Sequence, residues 1–202
     1  MKHRCLSNYR VLIVPGLHNS GAGHWQTRWQ QRYPAFERVE QEQWDRPELP
    51  RWSERLAQVL RTSIQPTLIV AHSFGCLTTL HAAGLGGFKL AGALLVAPAD
   101  PEKFGVQQAL RNARLACPAV VVGSANDPWM TRSRAAEWAA IWRCGFVNAG
   151  ALGHINAESG LEDWPFGLGQ LERLVRTMQA SNRSGCAEES GSPLAASTNH
   201  PI

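Results

Sequence analysis

No stretch of this chain reaches the about 18 consecutive apolar residues that a membrane-spanning helix needs, so membrane insertion is not expected. Met1 to Tyr9 lacks the apolar core and small-residue cleavage site of a secretory signal, which predicts a cytoplasmic protein. The five cysteines (Cys5, Cys76, Cys117, Cys144, Cys186) form an odd set without a C-x-x-C pair. That pattern argues against a disulfide framework or a paired-thiol site and fits free thiols in a reducing compartment. An excess of one charge is missing as well: the net charge is +4, and the arginines are scattered and form no basic run. Nucleic acid is therefore not an expected partner. There is no internal repeat, and nothing in the pattern fixes an oligomeric state.

What is present is enough apolar material, 44% of 202 residues, for one sizeable core. Short β-branched runs alternate with longer stretches of helical period, the pattern of a doubly wound, mostly parallel sheet with helices on both faces. Candidate strands are Val11 to Val14, Phe36 to Val39, Thr67 to Ala71, Gly92 to Val96, Ala119 to Gly123 and Phe146 to Asn148. Helical candidates include Trp52 to Leu60, Ser133 to Trp142, and a last stretch from about Gly167 to Gln179 carrying Leu168, Leu171, Leu174 and Val175. Beyond it, Ser181 to Ile202 is rich in Ser, Gly, Asn, Glu and Pro, too poor in large apolar residues to offset its ordering entropy. The expectation is one α/β domain over residues 1–180 and a disordered tail over 181–202.

The chemistry begins at Leu68-Ile69-Val70-Ala71-His72-Ser73-Phe74-Gly75-Cys76-Leu77, an apolar strand, a serine-bearing turn and the start of an apolar helix. This is the setting of a nucleophile elbow, with Ala71 where the G-x-S-x-G pattern has its first glycine. The blander reading makes Ser73 a helix cap. A serine hydroxyl needs a base, and the base needs a carboxylate to fix its tautomer. Both follow in the required order at later strand ends: Asp127 after Ala119 to Gly123, and His154 after Phe146 to Asn148. Asp100, in Ala-Pro-Ala-Asp-Pro after Gly92 to Val96, is the competing carboxylate, but beside Pro101 it reads as a turn residue.

Acyl transfer also needs backbone donors for a developing oxyanion. The N–H of Phe74 is one, and the loop Pro15-Gly16-Leu17-His18-Asn19-Ser20-Gly21 offers the N–H of Leu17 as the other. His18 and Trp129 are the candidate pocket residues. Gly16 and Gly21 have P-loop spacing, but Ala22 and Gly23 stand where Lys and Ser or Thr would hold phosphate and magnesium. His18 and His24 share a loop without the ligand spacing of a metal site, and His24 reads as a residue that packs or caps near Trp25. Most of the eight tryptophans read as core, with Trp129 the exception. Arg51, Glu54, Arg55 and Arg61 read as a solvated helix face.

Several stretches together resemble a known family: Val14-Pro15-Gly16, Asn19-Ser20-Gly21, Gly23-His24-Trp25-Gln26, Trp44-Asp45-Arg46-Pro47, Ala71-His72-Ser73-Phe74-Gly75-Cys76, Gly123-Ser124, Asn126-Asp127-Pro128 and Gly153-His154-Ile155-Asn156-Ala157-Glu158-Ser159-Gly160. The chain resembles the small serine hydrolases of the α/β-hydrolase fold that include YdeN and retinoblastoma-binding protein 9, from Val11 to about Arg176. The resemblance implies a minimal α/β-hydrolase without a large cap domain, with Ser73, Asp127 and His154 as its triad and Ala71 a familiar elbow residue. It further implies hydrolysis of a small-molecule carboxylic ester, thioester or amide through an acyl-enzyme, without metal or organic cofactor. A hydrolase scaffold serving as a binding protein is the alternative reading.

Overall fold

The computed structural model describes the backbone of residues 5–189 and side chains as far as Ala180. Along the chain come β1 (Arg10–Val14), α1 (Trp25–Arg32), β2 (Phe36–Arg38), α2 (Leu49–Arg61), β3 (Thr67–His72), α3 (Phe74–Ala83) and β4 (Leu90–Val96). They are followed by α4 (Gln107–Leu110), β5 (Ala119–Gly123), α5 (Arg132–Ile141), β6 (Gly145–Asn148), a single 3₁₀ turn (Ala157–Ser159) and α6 (Pro165–Glu189). All six expected strands form, and they pair in parallel in the order β2-β1-β3-β4-β5-β6.

Strict alternation along the central strands divides the core in two. Leu12, Val14, Ile69, Ala71, Ala93, Leu95 and Val121 face α2, α3 and α5, where Trp52, Leu56, Phe74, Leu77, Trp138 and Trp142 cover them. Val11, Ile13, Leu68, Val70, Leu94, Val96 and Val122 face α1 and α6, under Trp25, Trp29, Leu171 and Val175. Both faces are thus covered, which is why the central strands read as unbroken apolar runs and not as alternating ones. In α2, Trp52, Leu56 and Leu60 recur every four residues on the buried side, while Arg51, Glu54, Arg55 and Arg61 are exposed. Six tryptophans, at 25, 29, 52, 138, 142 and 164, are buried.

Because β1 leads outward to β2 and the chain then returns to β3 on the other side of β1, the connections diverge between β1 and β3. In an open parallel sheet that divergence opens a crevice at the strands' C-terminal ends. No described helix is long and apolar enough to cross a membrane.

The last helix departs from expectation. It starts at Pro165, two residues before Gly167, and its backbone continues to Glu189. The apolar stripe of the sequence ends near Met178, but main-chain hydrogen bonds can carry a helix past the end of its apolar stripe, so residues 181–189 are helical where a tail is expected. The remainder of the expected tail, 190–202, lies outside the described residues.

Gly75 is where the packing is least forgiving. A Cβ there would lie 2.3 Å from the Val14 carbonyl oxygen and 2.5 Å from that of Pro15, both backbone atoms. Gly169, inside α6, has nothing within 4 Å of its Cβ position. Gly75→Ala should therefore lose about 1–3 kcal/mol in urea unfolding as an overpacked site, whereas Gly169→Ala should gain about 0.5–1 kcal/mol from helix propensity. Equal effects of the two substitutions would contradict this packing account.

Candidate active site

The turn from β3 into α3 holds Ser73 at φ 53°, ψ −122°, a conformation that costs a non-glycine residue about 1–3 kcal/mol. Neighbours on both sides enforce it. The Ser73 N–H donates to the Val96 carbonyl at 3.0 Å, and Gly75 lets α3 start hard against the end of β1. With its main chain so placed, Ser73 carries its hydroxyl beyond the C-terminal edge of the sheet.

His154 and Asp127 reach the same point from β6 and β5. His154 Nε2 lies 3.0 Å from Ser73 Oγ, and its Nδ1 lies 2.9 and 3.1 Å from the two carboxylate oxygens of Asp127. Only 3% of the Asp127 side chain and 10% of the His154 side chain are exposed, so the line is largely screened from water. Asp127 also accepts from the Trp129 N–H at 2.9 Å, which orients the carboxylate toward the imidazole. An Nδ1–H bonded to the carboxylate leaves Nε2 unprotonated and able to take a proton from the serine.

The loop carrying His154 is held from several sides. Ser124 Oγ accepts from the Leu152 N–H at 2.9 Å, Asn126 Oδ1 accepts from the Gly153 N–H at 2.7 Å, and Trp25 Nε1 donates to the Ile155 carbonyl at 2.8 Å. Asp100 is engaged elsewhere. Its Oδ1 accepts from the Glu102 N–H and its Oδ2 pairs with Arg134 Nε, both at 3.1 Å, which matches a turn residue pinned to α5.

Gly16, the residue before Leu17, packs against Ser73 and Phe74. A Cβ on Gly16 would lie 2.7 Å from Ser73 Cβ and 3.3 Å from the Phe74 nitrogen, so the Gly16–Leu17 peptide runs directly beside the start of α3. Phe74 is the first residue of that helix, and its N–H has no carbonyl one turn earlier to bind. The next two residues, His18 and Asn19, both adopt left-handed φ (62° and 65°). Arg38 braces the chain that follows, donating to Asn19 Oδ1, to the Ser20 carbonyl at 3.2 Å and to Thr27 Oγ1 at 2.7 Å.

A cavity of about 550 Å³ opens onto Ser73 and His154, bordered by Leu17, His18, Phe104 and Trp129 among others. Trp129 is 58% exposed at its mouth, and Lys103 Nζ donates to the Trp129 carbonyl at 2.6 Å. A second concavity of about 230 Å³ beside α2 mixes Glu42, Arg46, Arg51 and Arg55 and shares no lining residue with the first. Among the described residues no group of three or more His, Cys, Asp or Glu could hold a metal ion.

Sequence reasoning did not single out Arg38, the loop-holding pair Ser124 and Asn126, or His72. The last three lie within the stretches that carry the family resemblance, while Arg38 gave no signal, since a lone arginine at a strand end reads as surface. His24 both caps α1, accepting at Nδ1 from the Gln26 N–H at 3.1 Å, and packs on Trp25. Burial, with help from Arg38, pushes its pKa down to about 3. Burial drives the Cys76 thiol well up, so this cysteine beside the serine stays an inert thiol.

Comparison with known proteins bears on the family and the fold. No curated protein sequence matches the chain. Among solved structures, a YdeN-like hydrolase from Pectobacterium atrosepticum is 35% identical, with 86% of this chain and 94% of that one covered and a TM-score of 0.82. The ydeN gene product of Bacillus subtilis (19% identity, 85% and 99% covered, TM-score 0.66) shares the fold. So does the esterase RhEst1 of a Rhodococcus species (12% identity, 85% and 91% covered, TM-score 0.62). The serine hydrolase family model matches residues 11–173, and with its six-stranded parallel sheet the chain belongs to that family of small α/β-hydrolase-type enzymes.

Proposed function

We propose that the protein is a carboxylesterase-like hydrolase of small acyl substrates, with Ser73 as nucleophile, His154 as general base and acid, and Asp127 as the residue that orients the base. The hydrogen-bonded line from Ser73 Oγ through His154 to the Asp127 carboxylate carries this reading. Ser73 Oγ attacks the acyl carbonyl carbon as His154 Nε2 takes its proton. The oxyanion that forms lies toward the N–H groups of Leu17 and Phe74, each such donor being worth roughly 100 to 1000-fold in rate. Collapse of the tetrahedral intermediate breaks the bond to the leaving group, which takes the proton from His154, and leaves an acyl-serine. Water, deprotonated by His154, then attacks the acyl carbon and frees the acid and the serine. The buried Asp127 carboxylate stabilises the imidazolium present in both halves without itself being protonated.

Short acyl groups suit the site better than long ones. Among the described residues the excursion between β4 and β5 is the one candidate cover, and its only helix is the four-residue α4, so no extended lid there shields a long chain. The cavity must also house the leaving group beside Phe104 and Trp129.

A fluorophosphonate probe should label the intact protein stoichiometrically at Ser73, with fluoride as the leaving group, and should not label Ser73→Ala. Folded wild type that stays unlabelled would favour a binding protein on a hydrolase scaffold. Asp127→Asn should lower kcat by up to about 10,000-fold with the fold intact, while Asp100→Asn stays within about tenfold, the scale of a small indirect shift of the site. Measured at saturating ester, a larger loss at Asp100 would reassign the acid. Across p-nitrophenyl acetate, butyrate and palmitate, kcat/KM should be highest on the two short esters, and a maximum at palmitate would refute the short-chain preference.

A further inference from the structure

We propose that His72 is a positioning residue for the reaction, its imidazole tying the main chain of His154 to the strand that carries Ser73 and so setting the distance from the base to the nucleophile. The proposal rests on the triad reading given above. Its central observation is one hydrogen bond: His72 Nε2 lies 2.9 Å from the carbonyl oxygen of His154 itself.

The need for such a tie follows from the topology. Ser73 is bonded directly to His72, the last residue of β3 near the middle of the sheet, and has little freedom. His154 sits six residues beyond the end of β6, an edge strand, in a loop that bends through positive φ at Gly150, Gly153 and Ile155. Ser124 and Asn126, which hold Leu152 and Gly153, both follow β5, as does Asp127. These bonds register the histidine loop with its carboxylate. Trp25 ties the following residue to α1. The contact from His72 spans the other gap, from the base to the nucleophile's strand, across the boundary between β3 and the loop after β6.

A carbonyl oxygen can only accept, so the imidazole of His72 must carry its proton on Nε2. The surroundings keep that ring neutral. It is buried, and the His24 and His154 rings lie edge-on to it at 4.7 and 4.9 Å, with Trp25 at 6.3 Å. Burial first, then these two histidines, hold its pKa well below the ordinary histidine value. Neutrality matters because His154 becomes an imidazolium during each acyl transfer, and a cationic His72 beside it would oppose that charge. A neutral histidine can thus tether the base without competing with Asp127 for its role.

Two variants separate positioning from bulk packing. His72→Leu removes the donor and keeps an apolar filling, whereas His72→Gln offers an amide N–H at about the reach of Nε2. With p-nitrophenyl acetate, His72→Leu should lower kcat by about 10 to 100-fold, the scale expected for misplacing a reacting group by up to an ångström. KM should change by less than about threefold, and His72→Gln should recover most of the loss. Wild-type kcat in His72→Leu, or equal losses in the two variants, overturns the proposal. If either variant does not fold, imidazole ¹⁵N spectra of the wild type decide: His72 should be neutral with its proton on Nε2, and a neutral ring protonated on Nδ1 overturns the proposal. Fluorophosphonate labelling distinguishes the two levels of inference. An unlabelled wild type brings down the triad reading and this proposal with it; labelling of wild type and His72→Leu at equal rates brings down the positioning role alone.

Discussion

The close passage of the β3–α3 turn under the end of β1 is the constraint on which the active site depends. Two backbone carbonyls, of Val14 and Pro15, occupy the space where any side chain at residue 75 would begin. This contact allows α3 to start immediately after β3, and an immediate start forces Ser73 into its strained positive-φ conformation. The same approach brings Gly16, the residue before the candidate oxyanion donor Leu17, against Ser73 and Phe74. Backbone strain at such a residue persists only where the surroundings over-determine it, and here strand pairing, the Val96 carbonyl and two glycine contacts all do so.

Around that rigid point the remaining groups arrive on loops, and polar contacts replace packing as the means of placing them. Arg38 ties the loop that follows the left-handed residue His18 to α1, with hydrogen bonds to Asn19, Ser20 and Thr27. Ser124, Asn126, Trp25 and His72 grip the main chain of the histidine loop at consecutive residues, 152 to 155. Each of these bonds is modest by itself, about 0.5–1.5 kcal/mol net. Their value lies in direction: a loop without secondary structure can present a side chain within tenths of an ångström only if its own peptide groups are tied down.

Asp100 and Asp127 illustrate how partners divide identical chemistry between different tasks. Both follow a strand, and both lie at the C-terminal edge of the sheet. Asp127 is turned by the Trp129 N–H toward His154, whereas Asp100 is claimed by its own turn and by Arg134, which also pairs with Glu102. The second arrangement pins the excursion after β4 to α5, and Lys103 on the same excursion bonds the Trp129 carbonyl. The rim of the cavity is therefore braced by charges that take no part in the proposed chemistry.

Much of this was legible in the residues taken in order. Six strands could be read because a parallel sheet buried on both faces demands short, uninterrupted β-branched runs, and the elbow because strand, serine and helix are contiguous in the chain. Asp127 and His154 could be named because strand ends are where loops must leave a parallel sheet. The last helix was less legible: its buried stripe is a sequence signal, but the point at which main-chain hydrogen bonding stops is not. Beyond the grouping of Ser73, Asp127 and His154, contacts between segments distant in sequence were not legible. Arg38 reaches 19 residues back to Asn19, and His72 reaches 82 residues forward to His154. By itself the sequence determined the sheet, the order of its strands along the chain and the types of the candidate catalytic groups, because these depend on local periodicity and on turns. Which loops are held, and by whom, was decided by the tertiary structure alone, because a hydrogen bond across the sheet depends on where two folded segments come to lie, and no local pattern records that.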